Sequence, residues 1–204
     1  RIGNGGNFHR AITNGTINVS AAGNIDMLAG DSRRDMAVIG TGGVQTGFGN
    51  SDFQATRTGD ITVLSGGANG ISLTGSNAQV SNFRATEFSY AMIGNDSEQS
   101  GFGSTSNITV AALNDVRLQT GTSNMEAYAQ IGSGGSDRAR GDITGTIDVT
   151  AGRDVVLVGD AGTATENAYK YVKIGHGARA QNSQPRVVGR NDNIQGSWNG
   201  DIFV

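Results

Sequence analysis

A short apolar phrase ending in Ile-Gly recurs five times along the chain, at Ile2-Gly3, Ile39-Gly40, Ile93-Gly94, Ile131-Gly132 and Ile174-Gly175. Three copies share the approach as well, reading Tyr-Ala-Met-Ile-Gly (90–94), Tyr-Ala-Gln-Ile-Gly (128–132) and Tyr-Val-Lys-Ile-Gly (171–175). The repeated unit therefore includes the residues that lead into the anchor. Intervals of 37, 54, 38 and 43 residues fit an array in which each unit buries its apolar face against its neighbours, rather than one globular core.

Within each unit, two further segments alternate apolar and polar residues with period two, the mark of a half-buried strand. The first reads Ile17-Asn18-Val19, Ile61-Thr62-Val63, Ile108-Thr109-Val110 and Ile147-Asp148-Val149. The second follows as Ile25-Asp26-Met27, Ile71-Ser72-Leu73, Val116-Arg117-Leu118 and Val155-Val156-Leu157. The anchor alternates too, with Ala37/Ile39, Ala91/Ile93, Ala129/Ile131 and Val172/Ile174 on its apolar face. Three strands per repeat predict a three-sided coil, and coils stacked about 4.8 Å apart pair every strand with its equivalents above and below. The fold class expected is all-β, a parallel β-helix or solenoid with long loops. Equivalent residues then lie on top of one another, placing Ile17, Ile61, Ile108 and Ile147 in one internal ladder and Ile39, Ile93, Ile131 and Ile174 in another. A repeat of about 38 residues is also compatible with two smaller coils; one coil with loops inserted after the anchor and after the third strand, as at 40–58 and 74–89, is the reading adopted.

Composition enters as a constraint on this reading. With 33 Gly among 204 residues and only 16% charged, the chain is too glycine-rich for long helices and too apolar for disorder. Its 15 basic and 18 acidic residues are scattered, leaving no cationic run to engage a nucleic acid backbone. The absence of Cys removes disulfides and thiolate metal sites. No segment approaches the roughly 20 apolar residues of a membrane-spanning helix. The chain starts within an anchor and stops within a second-strand pattern, which predicts one β-helical segment over 1–204, uncapped at both ends and belonging to a longer chain or to a filament of stacked units.

The phrase Tyr-Ala-Gln-Ile-Gly, the segment Gly-Asp-Ile-Thr-Val (59–63) and the run Ile-Asp-Val-Thr-Ala-Gly-Arg-Asp-Val-Val-Leu (147–157) resemble the repeats of filamentous-haemagglutinin-type exoproteins, large bacterial adhesins exported by two-partner secretion. The resemblance covers nearly the whole chain and rests on structural motifs. It implies a right-handed β-helical shaft, extracellular or on the bacterial cell surface or in a biofilm matrix, with no enzyme activity and no cofactor. The secretion domain of that family has no recognisable counterpart here. Partners so implied are the parent chain or another copy end to end, and host or matrix glycans or surface proteins.

Several residues invite more specific readings. Arg140-Gly141-Asp142 spells an integrin-binding tripeptide, although Gly-Asp-Ile recurs at 59–61 and 200–202 as part of the repeat. Asp115 and Asp154 precede the third strand in successive repeats, with Asn24 in the first, and Asp52 lies in a Gly-Phe-Gly-Asn-Ser-Asp segment; calcium is the cation such acids would take, and solvated turn residues are the plainer reading. Tyr90, Tyr128 and Tyr171, with Met36 as first member, form a surface aromatic strip for sugars or another shaft, or else cover coil corners. A polysaccharide-binding or polysaccharide-cleaving β-helix is the alternative function. Asp26, Asp60, Asp142 and Asp148 are available to it, but no acid pair stands out, and His9 and His176 are far apart in sequence.

Overall fold

A computed structural model describes residues 2–3, 13–31, 35–44, 56–77, 89–98, 103–122, 127–134, 142–159, 170–177 and 198–204. These residues form strands and turns, with no helix among them. Four stacked sheets each take one strand from every repeat, and all pairing is parallel. The anchor sheet is built from Ala37–Ile39, Ala91–Ile93, Ala129–Ile131 and Val172–Ile174. A second, longer-stranded sheet contains Ile17–Ala21, Ile61–Ser65, Ile108–Ala112, Ile147–Ala151 and Ile202–Phe203. The third contains Ile25–Leu28, Ile71–Thr74, Val116–Gln119 and Val155–Val158.

The fourth sheet corrects the expectation of three strands per repeat. Thr13–Asn14, Arg57–Thr58, Ser104–Thr105, Ile143–Thr144 and Trp198–Asn199 form a short strand ahead of each long one. Two residues cannot display a period, so neither alternation nor composition marks them in the sequence. A small lateral pair, Gly42–Val44 with Asp96–Glu98, adds a fifth sheet beside the first two complete repeats.

Register follows residue type. Ile17 pairs with Ile61, Ile61 with Ile108, Ile108 with Ile147 and Ile147 with Ile202. In the anchor sheet Ile39, Ile93, Ile131 and Ile174 are matched in succession, and Ile2 bridges to Ile39. One continuous core contains Ile39, Ile61, Leu73, Ile93, Ile108, Leu118, Ile131 and Ile147. Each such side chain contributes about 1.5–3 kcal/mol through burial. A one-residue slip in any strand would turn the aliphatic column outward, so the core fixes the register.

The anchor glycine is required by backbone packing. Gly40, Gly94 and Gly132 have φ of +153°, +150° and +142°, and a Cβ on each would lie 1.9, 2.1 and 2.0 Å from the carbonyl oxygen of the next anchor glycine. Only a residue without Cβ allows adjacent repeats to approach this closely. The recurrence of Ile-Gly thus has two causes, an inward aliphatic and a turn with no room for a side chain.

Candidate functional site

The tyrosines stack as the repeat predicts. Ring centroids of Tyr90 and Tyr128 are 4.4 Å apart and those of Tyr128 and Tyr171 4.6 Å, each pair inclined by 10°. Their placement corrects the expected surface strip, because Tyr90 and Tyr128 are both 0% exposed. They belong to a second apolar cluster with Val38 and Met92, against which Met36 and Tyr171 pack. The anchor sheet is therefore buried on both faces. Tyr171 donates its hydroxyl to Gln130 Oε1 at 3.0 Å, and the Tyr90 hydroxyl lies 3.5 Å from Met36 Sδ. The Tyr90 and Tyr128 rings are therefore enclosed within the fold, while Tyr171 at the end of the stack is half-buried.

Along the same outer face the paired positions run Val38, Met92, Gln130 and Lys173, from apolar to charged. Gln130 Nε2 donates to Gly175 O at 3.1 Å, and Lys173 Nζ donates to His176 O at 2.5 Å and Gly177 O at 3.0 Å. Burial lowers the Lys173 pKa from its ordinary value.

A buried polar seam lies just beyond the anchors, at Thr41, Asn95, Ser133 and His176. Asn95 Oδ1 accepts from the Thr41 N–H at 3.1 Å and the Thr41 hydroxyl at 2.9 Å, while Asn95 Nδ2 donates to Ser104 Oγ at 3.1 Å and Ser106 Oγ at 3.3 Å. The Asn95 N–H donates to Ser133 Oγ at 3.2 Å. The Ser133 N–H in turn donates to His176 Nδ1 at 3.0 Å, and His176 Nε2 lies 3.1 Å from Gly145 O. Since a carbonyl only accepts, His176 carries its proton on Nε2 and is neutral. Burial lowers its pKa first, the Gly145 carbonyl opposes that shift, and the charge of Lys173 reinforces it. Through Asn95, Ser133 and His176 the seam joins three of these turns to Ser104, Ser106 and Gly145 in and beside the short strands, with the Asn95 amide fully satisfied. The sequence carried its signal, a small polar or imidazole side chain directly after each Ile-Gly, that the apolar pattern overshadowed. Arg57, also missed, is fully buried in the short-strand column between Thr13 and Ser104.

The acidic candidates are dispersed over turns and strands. Arg153 Nε donates to Asp115 Oδ1 at 2.7 Å and Arg153 Nη2 bonds Asp115 Oδ2, linking consecutive third-strand turns. This hydrogen-bonded guanidinium holds the Asp115 carboxyl below the usual carboxylate range and raises the Arg153 pKa in return. Asp154 Oδ2 lies 3.9 Å from Arg153 Nε. Arg153 thus pairs with Asp115 and lies beside Asp154. Asp60 Oδ1 accepts the Asn107 N–H at 2.9 Å, and Asn107 Oδ1 accepts the Thr146 N–H and hydroxyl, both at 3.0 Å. Asp148 Oδ1 accepts from the Thr150 hydroxyl at 3.4 Å. Asp26 and Asp142 are exposed, and the Asp142 backbone carbonyl accepts the Ser104 N–H at 2.9 Å. No group of three metal-ligating side chains occurs among the described residues.

Arg140, Gly141, Asp52 and His9 lie outside the described residues, as do most of the segments expected to be long loops. Among the described residues no helix is long and apolar enough to cross a membrane. The chain matches no family model, no curated protein and no solved structure.

Proposed function

We propose that the repeats wind as a right-handed parallel β-helix forming the shaft of an extracellular or bacterial-surface adhesin or filament, which holds loops at a distance from the surface that bears it. One observation carries the reading: isoleucines lie in register through successive repeats in the long-stranded and anchor sheets, while polar side chains between repeats bond to one another and to turn backbone. Such chemistry extends a structure without creating a reaction centre. Parallel strands of one sheet joined by crossover connections are right-handed in nearly all proteins, which supports the handedness. The Tyr-Ala-Gln-Ile-Gly phrase and the 147–157 run support the filamentous-haemagglutinin-type assignment by resemblance.

The partners that fit this role are glycans or surface proteins met by the loops, and other copies or a parent chain along the axis. Electron microscopy of the native assembly that separates strands tests the reading. A shaft with regular rungs about 4.8 Å apart is the expected result. A discrete particle that releases sugar from a polysaccharide would overturn it.

A further inference from the structure

The turn between the long and third strands is longer in one repeat than in the others. Residues 66–70 join Ile61–Ser65 to Ile71–Thr74, where 22–24, 113–115 and 152–154 make the same connection, so five residues stand in place of three. Gly70 remains part of the stack. Its carbonyl accepts the Ile25 N–H at 3.0 Å and the Ser65 hydroxyl at 2.9 Å, and a Cβ on it would lie 1.9 Å from Asp115 O. Its N–H instead donates within the turn, to Gly67 O at 3.0 Å. Asn69, which precedes it, is exposed, and the Asn69 N–H is held by Asn24 Oδ1 at 2.9 Å. The N–H of the Asn69–Gly70 peptide is thus tied to its own turn and to no neighbouring repeat. Asn14–Gly15 is the same pair of residues in a different setting: the Gly15 N–H donates to Thr58 O at 3.0 Å across the short-strand ladder, and Asn14 Oδ1 accepts the Thr58 hydroxyl at 2.6 Å.

We propose that Asn69 is a self-modification site, which deamidates through a cyclic imide with Gly70 while the protein remains folded. The Gly70 nitrogen attacks Asn69 Cγ and forms the new N–Cγ bond; the Cγ–Nδ2 bond breaks, and ammonia departs carrying the proton from the Gly70 amide. Water then opens the imide at either carbonyl, leaving aspartate or isoaspartate at position 69. No other reactant enters the balance. A following glycine places no Cβ beside the attacking nitrogen, and a hydrogen bond confined to one turn opens locally without separating repeats. At Asn14 the same attack must break a ladder bond between repeats and withdraw the carboxamide from the Thr58 hydroxyl. Either product adds a negative charge to the turn that precedes Asp115 in the stack. Isoaspartate also lengthens the backbone by a methylene, among the exposed residues Ala68 and Asn69 that the shorter turns lack. This chemistry does not depend on what the shaft binds.

Peptide mapping by mass spectrometry tests the site on the full chain, incubated at neutral pH, sampled over time and compared with the same chain held in urea. Circular dichroism checks that the first sample stays folded. In urea, positions 14 and 69 are expected to lose ammonia at similar rates. In the folded protein the Asn69 peptide should give way to its aspartate and isoaspartate forms while the Asn14 peptide stays largely amidated. The ratio of folded to urea rates should be higher at Asn69 than at Asn14 by roughly tenfold, the worth of the bonds that Asn14–Gly15 makes across repeats. Equal protection of the two positions in the folded protein, or faster reaction at Asn14, would overturn the site. Neither result bears on the shaft reading, which the rung spacing decides separately.

Discussion

At the scale of single residues, the anchor glycine and His176 impose the sharpest constraints. Gly94 combines φ +150° with a Cβ position 2.1 Å from Gly132 O, so a methyl group there meets both backbone strain and immovable backbone atoms. Gly94→Ala is expected to cost about 3 kcal/mol. Gly23→Ala, where the added Cβ has nothing within 4 Å, should change stability by less than about 0.5 kcal/mol. Denaturant midpoints of the two variants check the contrast. His176 accepts a backbone N–H at Nδ1, which protonation would forbid, and its pKa is lowered in the fold. The unfolded chain then binds the proton more readily, so the histidine's contribution is present above its ordinary pKa of about 6.5 and is lost as pH falls through that value toward the folded pKa. Thermal midpoints measured from about pH 7.5 down to about pH 5 should fall more steeply for wild type than for His176→Asn. Equal slopes would remove His176 as the source.

At the scale of elements, the anchor sheet differs from the others in burying both faces, with Ala91, Ile93 and Ala129 toward the main core and Tyr90, Met92 and Tyr128 toward the second cluster. Tyr128 lies between two rings and is 0% exposed, so Tyr128→Ala is expected to cost about 3–5 kcal/mol and to abolish the near-ultraviolet dichroism of the stacked tyrosines. Tyr128→Phe, which keeps both ring contacts, should retain most of the stability. A near-ultraviolet signal unchanged in the alanine variant would exclude the stack as its origin. The three longer strands were legible because period-two alternation and residue identity coincide in them. Strand parity also placed the tyrosines opposite the ladder residues, but parity assigns a face and does not say whether that face is covered. Arg57–Thr58 and its equivalents were illegible for a different reason, being too short to alternate and mixed in composition, so that only pairing with neighbouring repeats defines them. The Asp115–Arg153 pair was half legible: the acid's position recurred, while its cationic partner comes from the following repeat, 38 residues away.

At the scale of the whole molecule, stability in a stacked array is a sum of nearest-neighbour terms, so the same side chain is worth more in the middle than at an end. Ile108 and Ile202 occupy one column of the long-stranded sheet, with only Ile147 between them. Ile108 pairs on both sides, with Ile61 and Ile147, and is 1% exposed, whereas Ile202 pairs with Ile147 and is 48% exposed. Truncation at Ile108 opens a cavity enclosed by repeats on either side, and Ile108→Ala is expected to cost about 2–5 kcal/mol. Ile202→Ala leaves a surface that water already reaches, and about 1 kcal/mol or less is expected. Hydrogen exchange gives the spatial form of the same prediction, with amide protection greatest in the strands at 61–65 and 108–112 and declining toward 17–21 and 202–203. A chain folding around one central nucleus would respond to both truncations as a unit and show no such gradient. Equal losses at Ile108 and Ile202, or uniform protection along the column, would therefore exclude additive repeat energetics in this fold.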